Sequence, residues 1–421
     1  MTRYRLKHLV SSPIRSGVGL AGAEDDPTLP RYLRITDIAD DGHLRSDVFA
    51  SQPPEVIGHA DVRLNDILIA SVGATVGKSY LHTASGDFCY AGYLTRIRPD
   101  VSLIDPRFLN YWTGSHQYWD QVYSNRIVST IENLSAGRIA DFSLVLPNTE
   151  SQRQIADYLD HETAEIDAFI ADLAMTRALT QERLVSEWAR LFEEAMTAPL
   201  TQIRHTVTSL VDGPFGSGLT SAHYADDGAP VVRLGNIGRN RFELQPRVYI
   251  SQDYAAELKA HAVRPGDVVI AGLGDVNHPL GRAAVVPLEF GEGIVKADCY
   301  RARVNQRVSA EFLAWSLSAP QTSDSFREMS RGSTRARLNL AVVAAANIPV
   351  PERDAQDRLV VSYEVANATA ESALQEIDAA IELAKERRAA LITAAVTGQI
   401  DVTTRKTPAV DNIQTAIEEA R

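Results

Sequence analysis

Cysteine is nearly missing from this 421-residue chain: Cys89 and Cys299 are the only two, and they stand about two hundred residues apart. Neither has Cys or His neighbours at metal-ligand spacing, which argues against a disulfide framework or a zinc site. Both are expected to be reduced, buried strand residues in a reducing compartment. Long apolar runs are missing too. Nothing approaches the ~18 residues a membrane span needs, and Met1-Thr2-Arg3-Tyr4-Arg5 opens on polar sequence unlike a secretory leader. These absences predict a cytoplasmic chain with no membrane partner. Positive charge is scarce, with 42 Lys and Arg against 54 Asp and Glu for a net of −12.

That shortage is local. Residues 1–148 carry a balance of −2, residues 149–200 of −7, residues 201–348 of +2 and residues 349–421 of −5. With two near-neutral segments, the chain would hold a polyanion such as DNA poorly alone and would need a partner to close around a duplex. Glycine follows the same partition, for none occurs from Asn148 to Leu200. There, apolar residues recur as Ile155, Leu159, Ile166, Ile170, Leu173, Leu184, Trp188 and Leu191. After Pro351 they recur as Leu374, Ile377, Ile381, Ala384, Leu391 and Ala395, at a spacing near 3.5 that Arg388 interrupts. Each stretch reads as a helix of ~45 residues, or ~67 Å at 1.5 Å per residue. Neither could bury its apolar stripe alone, so an antiparallel coiled coil with a globular domain at each end is expected.

What is present in abundance is repetition. Leu33-Arg34-Ile35-Thr36-Asp37-Ile38 returns as Val232-Arg233-Leu234-Gly235-Asn236-Ile237, and Asp66-Ile67-Leu68-Ile69-Ala70 as Asp267-Val268-Val269-Ile270-Ala271. Each of the latter runs into a glycine-bearing turn ending at Gly77 or Gly281. Cys89-Tyr90 is matched to Cys299-Tyr300. A single shift of 204 carries Thr130, Leu134, Pro147 and Gln152 onto Thr334, Leu338, Pro351 and Gln356. Short β-branched runs broken by Gly, Pro, Asn and Asp make the glycine-containing halves mixed α+β domains. Trp112, Trp119 and Trp315 lie in amphipathic stretches and are assigned to the core.

At this point the sequence resembles the specificity subunits of type I restriction-modification systems. Glu386-Arg387-Arg388-Ala389-Ala390-Leu391-Ile392-Thr393-Ala394-Ala395-Val396-Thr397-Gly398-Gln399-Ile400 is similar to the helix end of many members. So are the approaches to the helices, Pro147 to Arg153 and Pro351 to Arg358, and the stretch from Ile155 to Asp167. The Glu usual beside the Gln is missing from both approaches, where Ser151-Gln152 and Ala355-Gln356 stand. The resemblance implies target-recognition domains at 1–148 and 201–350, spacer helices at 149–200 and 351–400, and a tail at 401–421. It implies a non-catalytic DNA-reading subunit for a bipartite, asymmetric target, which directs adenine methylation and restriction by partners. Those partners would be double-stranded DNA, two methyltransferase subunits and restriction/translocase subunits. S-adenosylmethionine, ATP and Mg would be bound by the partner subunits, with no cofactor or metal in this chain.

Gly73-Ala74-Thr75-Val76-Gly77-Lys78-Ser79 looks like a phosphate-binding loop but has three residues, not four, between Gly73 and Gly77-Lys78-Ser79. It is either a structural turn or a DNA-contacting one, in which Ser71 and Lys78 would meet the duplex; Arg282 stands at the equivalent place in the repeat. Arg331-Gly332-Ser333-Thr334-Arg335-Ala336-Arg337 offers three arginines suited to phosphate or guanine, and its counterpart around Arg126 and Thr130 offers one. Arg239 and Arg241 form a smaller candidate. Asp212-Gly213-Pro214-Phe215-Gly216-Ser217 reads as a structural turn. His205, His223, His261 and His278 show no useful carboxylate spacing and are given no catalytic role. No Asn-Pro-Pro-aromatic motif occurs, which argues against a methyltransferase. The rival is a coiled-coil scaffold that binds protein partners only.

Overall fold

Buried β-branched runs nucleate the sheets of each half. In the computed structural model, which describes residues 2–19, 25–39, 43–127, 132–214, 216–275, 278–330 and 337–402, Ile67–Ala70 and Val268–Ala271 are buried along their whole length. The chain divides into two units, Met1–Ala174 with Ala379–Arg421, and Met175–Asp378.

In the first unit an antiparallel sheet runs in the order Arg15–Ser16, Leu94–Ile97, Ile67–Ala70, Ser79–Leu81. Beside it in the chain, Phe88–Tyr90 pairs parallel with Arg31–Leu33 and antiparallel with Asp61–Val62. The second unit repeats both. Its antiparallel sheet runs Val207–Asp212, Cys299–Val304, Val268–Ala271, Ala283–Val285. Gly293–Val295 pairs parallel with Ala229–Val232 and antiparallel with Ala262–Val263. Here Tyr249–Ile250 and Tyr224–Ala225 widen the second sheet to five strands. Each head is closed by pairing its first strand with its last: Thr2–Arg5 with Ser143–Leu146, and Leu200–Gln202 with Asn347–Pro349. The duplication read from sequence is therefore a duplication of strand order and direction.

Register corrects one equivalence. Ala70 faces Leu94 and Ala271 faces Cys299, while Tyr32 faces Cys89 and Val231 faces Ile294. Cys299 thus matches Leu94, and Cys89 matches Ile294. The two Cys-Tyr pairs look alike because both are small-then-aromatic pairs in buried strands, but they belong to different sheets. Both thiols are free and buried, and burial pushes each up to about 12. Trp112 and Trp315 are buried, and Trp119 packs on the first core, as assigned.

The glycine-free stretches are helices, Thr149–Ala195 of 47 residues and Arg353–Val396 of 44. Within the first unit Ile155 and Leu159 share a core with Ile392, Ala395 and Val396, and Asp167 accepts from the Arg388 guanidinium at 2.8 and 3.1 Å. Within the second, Arg177 meets Asp378 at 2.8 Å and the Trp188 ring lies 4.3 Å from that of Tyr363. In each unit numbers rise along one helix as they fall along the other, so the pairing is antiparallel. Gly398, at φ 73, ends the second helix in a left-handed turn, with the Gln399 N–H returning to the Ala394 carbonyl at 2.9 Å. Among the described residues no helix is long and apolar enough to cross a membrane.

A buried glutamine ties each helix start to its head. Gln152 Oε1 accepts from the Asp105 N–H at 2.8 Å, while its Nε2 donates to the Leu103 and Pro147 carbonyls at 3.3 and 3.0 Å. Gln356 does the same with the Ser309 N–H at 2.9 Å and the Arg307 and Pro351 carbonyls at 2.8 Å each.

Candidate DNA interface

The turn leaving each central strand is closed by its own backbone. The Ala70 N–H donates to the Lys78 carbonyl and the Gly77 N–H to the Ala70 carbonyl, both at 2.8 Å; Ala271, Arg282 and Gly281 repeat the pair at 2.9 and 3.1 Å. Gly77 and Gly281 sit at φ 93 and 78. A Cβ at Gly77 would come within 2.8 Å of Val122, and one at Gly281 within 2.2 Å of Phe326. Glycine is needed here both for backbone shape and for closeness to the helix behind. The amides of Gly73, Val76, Gly77 and Lys78 already donate to the carbonyls of Glu132, Gly73, Ala70 and Thr75. Amides so committed are not free to cradle a phosphate.

Two candidate stretches meet at this turn. The Gly73 N–H reaches the Glu132 carbonyl at 3.0 Å, and the Leu134 N–H reaches the Ser71 carbonyl at 2.9 Å. In the second unit the Leu338 N–H reaches the Gly272 carbonyl at 2.8 Å, and Leu273 bridges Arg337. A third piece, absent from the sequence reading, joins them. The Tyr93 carbonyl accepts from both the N–H and the hydroxyl of Ser71 at 2.9 Å, as the Asp298 carbonyl accepts from the Gly272 N–H at 2.7 Å.

The named residues divide sharply in their surroundings. Ser71 is buried, its hydroxyl held by Tyr93, and Lys78 beside it is half-buried. Arg282 is also buried; its guanidinium donates to the Ile237, Leu273 and Leu234 carbonyls at 2.6, 2.9 and 3.1 Å, and burial lowers its pKa. Ser71 and Arg282 therefore spend their polar groups on the backbone of the head in this structure. Arg126 pairs with Glu132 at 2.9 Å and lies 4.8 Å over the exposed Tyr123 ring. Arg337, half-exposed, stands 2.6 Å from Asp298. Arg239 and Arg241 do not join these loops. Arg239 donates to the Ser318 carbonyl at 3.2 Å and lies 5.0 Å over Trp188 of the first long helix. Arg241 reaches Glu371 of the second long helix at 3.2 Å and Glu243 at 3.3 Å. Thr130, Arg331, Thr334 and Arg335 lie outside the described residues. His278 does have a carboxylate neighbour, Asp275 at 2.9 Å, on an exposed turn. His161, Glu162 and Glu165 gather potential ligand atoms within 4.8 Å on the helix surface, an ordinary solvated charged face.

Sequence reasoning missed a pair of arginines clamped on buried aspartates. Arg98 binds Asp66 at 2.8 and 2.7 Å, and Arg303 binds Asp267 at 2.8 and 3.2 Å. Each aspartate also accepts a turn N–H, from Arg63 at 2.8 Å or Arg264 at 2.9 Å. The available signal was Arg96-Ile97-Arg98 against Arg301-Ala302-Arg303, a shift of 205 from the first head to the second.

Residues 52–170 match the family described as type I restriction modification DNA specificity domain. The chain is similar to the type I restriction enzyme StySPI specificity subunit of Salmonella potsdam, at 24% identity over 51% of this chain and 45% of the relative. It is also similar to the EcoBI specificity subunit of Escherichia coli, at 23% over 67% of this chain and 64% of the relative. The chain thus spans about half to two-thirds of the length of these relatives. Among solved structures, one chain from a study of complex assembly and conformational transition in the type I restriction-modification system gives a TM-score of 0.68 at 16% identity, covering 94% of this chain and 97% of that one. The HsdS subunit from Thermoanaerobacter tengcongensis gives 0.52 at 16% identity, covering 95% and 97%. These structural likenesses concern the fold.

Proposed function

We propose that this chain, which belongs with the specificity subunits of type I restriction-modification systems, reads a bipartite, asymmetric DNA target and directs adenine methylation and restriction by partner subunits. The observation that carries this reading is a duplicated frame bearing unlike side chains. The same backbone bonds hold the glycine turn, the turn between the sheets and the stretch before the helix in both heads, yet the residues they display differ. Two copies of one frame with different surfaces suit a target whose halves differ in sequence, since phosphate contacts position while side chains at base edges specify.

The chain itself performs no chemistry in this reading. Two methyltransferase subunits would dock on the acidic helices and supply S-adenosylmethionine chemistry, and restriction/translocase subunits would supply ATP and Mg chemistry in the cytoplasm. The near-neutral heads favour a DNA clamp completed by those partners. Co-expression with the cognate methyltransferase subunit, followed by mapping of methylated adenines on plasmid DNA, tests the proposal. The expected result is one motif of two unlike halves with a fixed gap. Methylation indifferent to this chain, or its absence alongside intact protein–protein assembly, would favour the scaffold reading.

A further inference from the structure

The turn that joins the two sheets of each head is fixed by matching bonds. Leu94 N–H to Ala91 carbonyl, at 2.9 Å, corresponds to Cys299 N–H to Lys296 carbonyl at 3.1 Å. Ala91 N–H to Leu33 carbonyl corresponds to Lys296 N–H to Val232 carbonyl, both at 2.9 Å. A glycine crosses over it in each head: a Cβ on Gly17 would stand 2.1 Å from the Tyr90 carbonyl oxygen, and one on Gly213 2.1 Å from the Lys296 carbonyl carbon. The tip residue is therefore held through its main chain, by the bonds from Ser71 and Gly272. In the first head that residue is Tyr93, whose side chain is 64% exposed. In the second it is Asp298, at φ 65, against the Arg337 guanidinium.

We propose that the tip of this connecting turn is a specificity-determining position in both heads, with Tyr93 contacting a base of one half-site and Asp298 steering Arg337 onto a guanine of the other. The inference rests on the DNA-reading function above. A rigid tip beside the turn and the stretch before the helix is where a side chain can be exchanged without altering the fold. Tyrosine offers a ring face for a thymine methyl and a hydroxyl for a base edge. Arginine offers the forked donors that match guanine O6 and N7, and the Asp298 carboxylate, 2.6 Å from one guanidinium nitrogen, attracts that fork to the tip. Asp298 acts here as a positioning residue, since it reaches DNA only through Arg337.

The test uses the complex with its methyltransferase subunit and reads the base preference at every position of the methylated motif. Tyr93→Ala should lose about tenfold of discrimination at one base of one half-site, leaving the other half and the gap unchanged. Asp298→Asn, which keeps a residue tolerant of positive φ, should relax a guanine in the opposite half by a similar factor. Tyr93→Phe separates the ring from the hydroxyl and guards against a folding defect in the alanine variant. An unchanged motif in Tyr93→Ala and Asp298→Asn, whether at full or uniformly reduced methylation, overturns the proposal while leaving the DNA-reading function standing. A wild-type complex that methylates without sequence preference removes that function and the proposal with it.

Discussion

Gln152 and Gln356 show how much a single side chain can fix. Each is itself buried and uses both ends of its amide on backbone groups beside the start of its helix. Leaving such groups unsatisfied costs about 1–3 kcal/mol. Gln152→Ala and Gln356→Ala should each lower unfolding stability by about that much in urea titrations, and a change under ~0.5 kcal/mol would show that water replaces the amide. His82 gives a pH-dependent counterpart. Burial lowers its pKa, so the fold binds fewer protons than the open chain in the window below the ordinary histidine value of about 6.5. Stability should therefore fall as pH drops from 7 through that window. His82→Phe should flatten the fall in thermal melts, and an identical pH profile would exclude His82 as its cause. These glutamines were legible in sequence by position but not by role. The arginines that clamp Asp66 and Asp267 left only the Arg96-Ile97-Arg98 and Arg301-Ala302-Arg303 repeat as a trace in sequence, because charged residues are mostly exposed and such a repeat does not announce a buried carboxylate partner.

The long helices were the most legible elements, since an apolar period near 3.5 across a glycine-free stretch leaves few alternatives. Arg388 broke that period in the sequence, and Asp167 on the facing helix answers it. The turns were legible as turns, but which glycine mattered required the neighbours. Gly281 and Gly266 both have positive φ, yet a Cβ on Gly281 strikes Phe326 and one on Gly266 meets nothing within 4 Å. Gly281→Ala should cost roughly 2–4 kcal/mol from overpacking added to backbone strain, against about 1 kcal/mol for Gly266→Ala. Equal losses in chemical denaturation would mean that Phe326 yields and strain alone decides.

At the scale of the whole molecule, duplication was legible because equivalent motifs keep nearly constant shifts. The misplaced cysteine equivalence arose because strand pairing, not local resemblance, sets which residues correspond. Removing seven residues, about 10.5 Å of rise, from each long helix at facing positions should shorten the unspecified gap in the methylated target by about three base pairs. A motif with its original gap would free the helices of any part in spacing.

The closure of each head by its own first and last strands carries a consequence for change over time. Because Thr2–Arg5 lies against Ser143–Leu146 and Leu200–Gln202 against Asn347–Pro349, the two points where the chain enters and leaves a head are neighbours. A head is thus a cassette whose exchange requires two adjacent splices and no rebuilding of the helices, so one arm could acquire a new vocabulary while the other keeps the old.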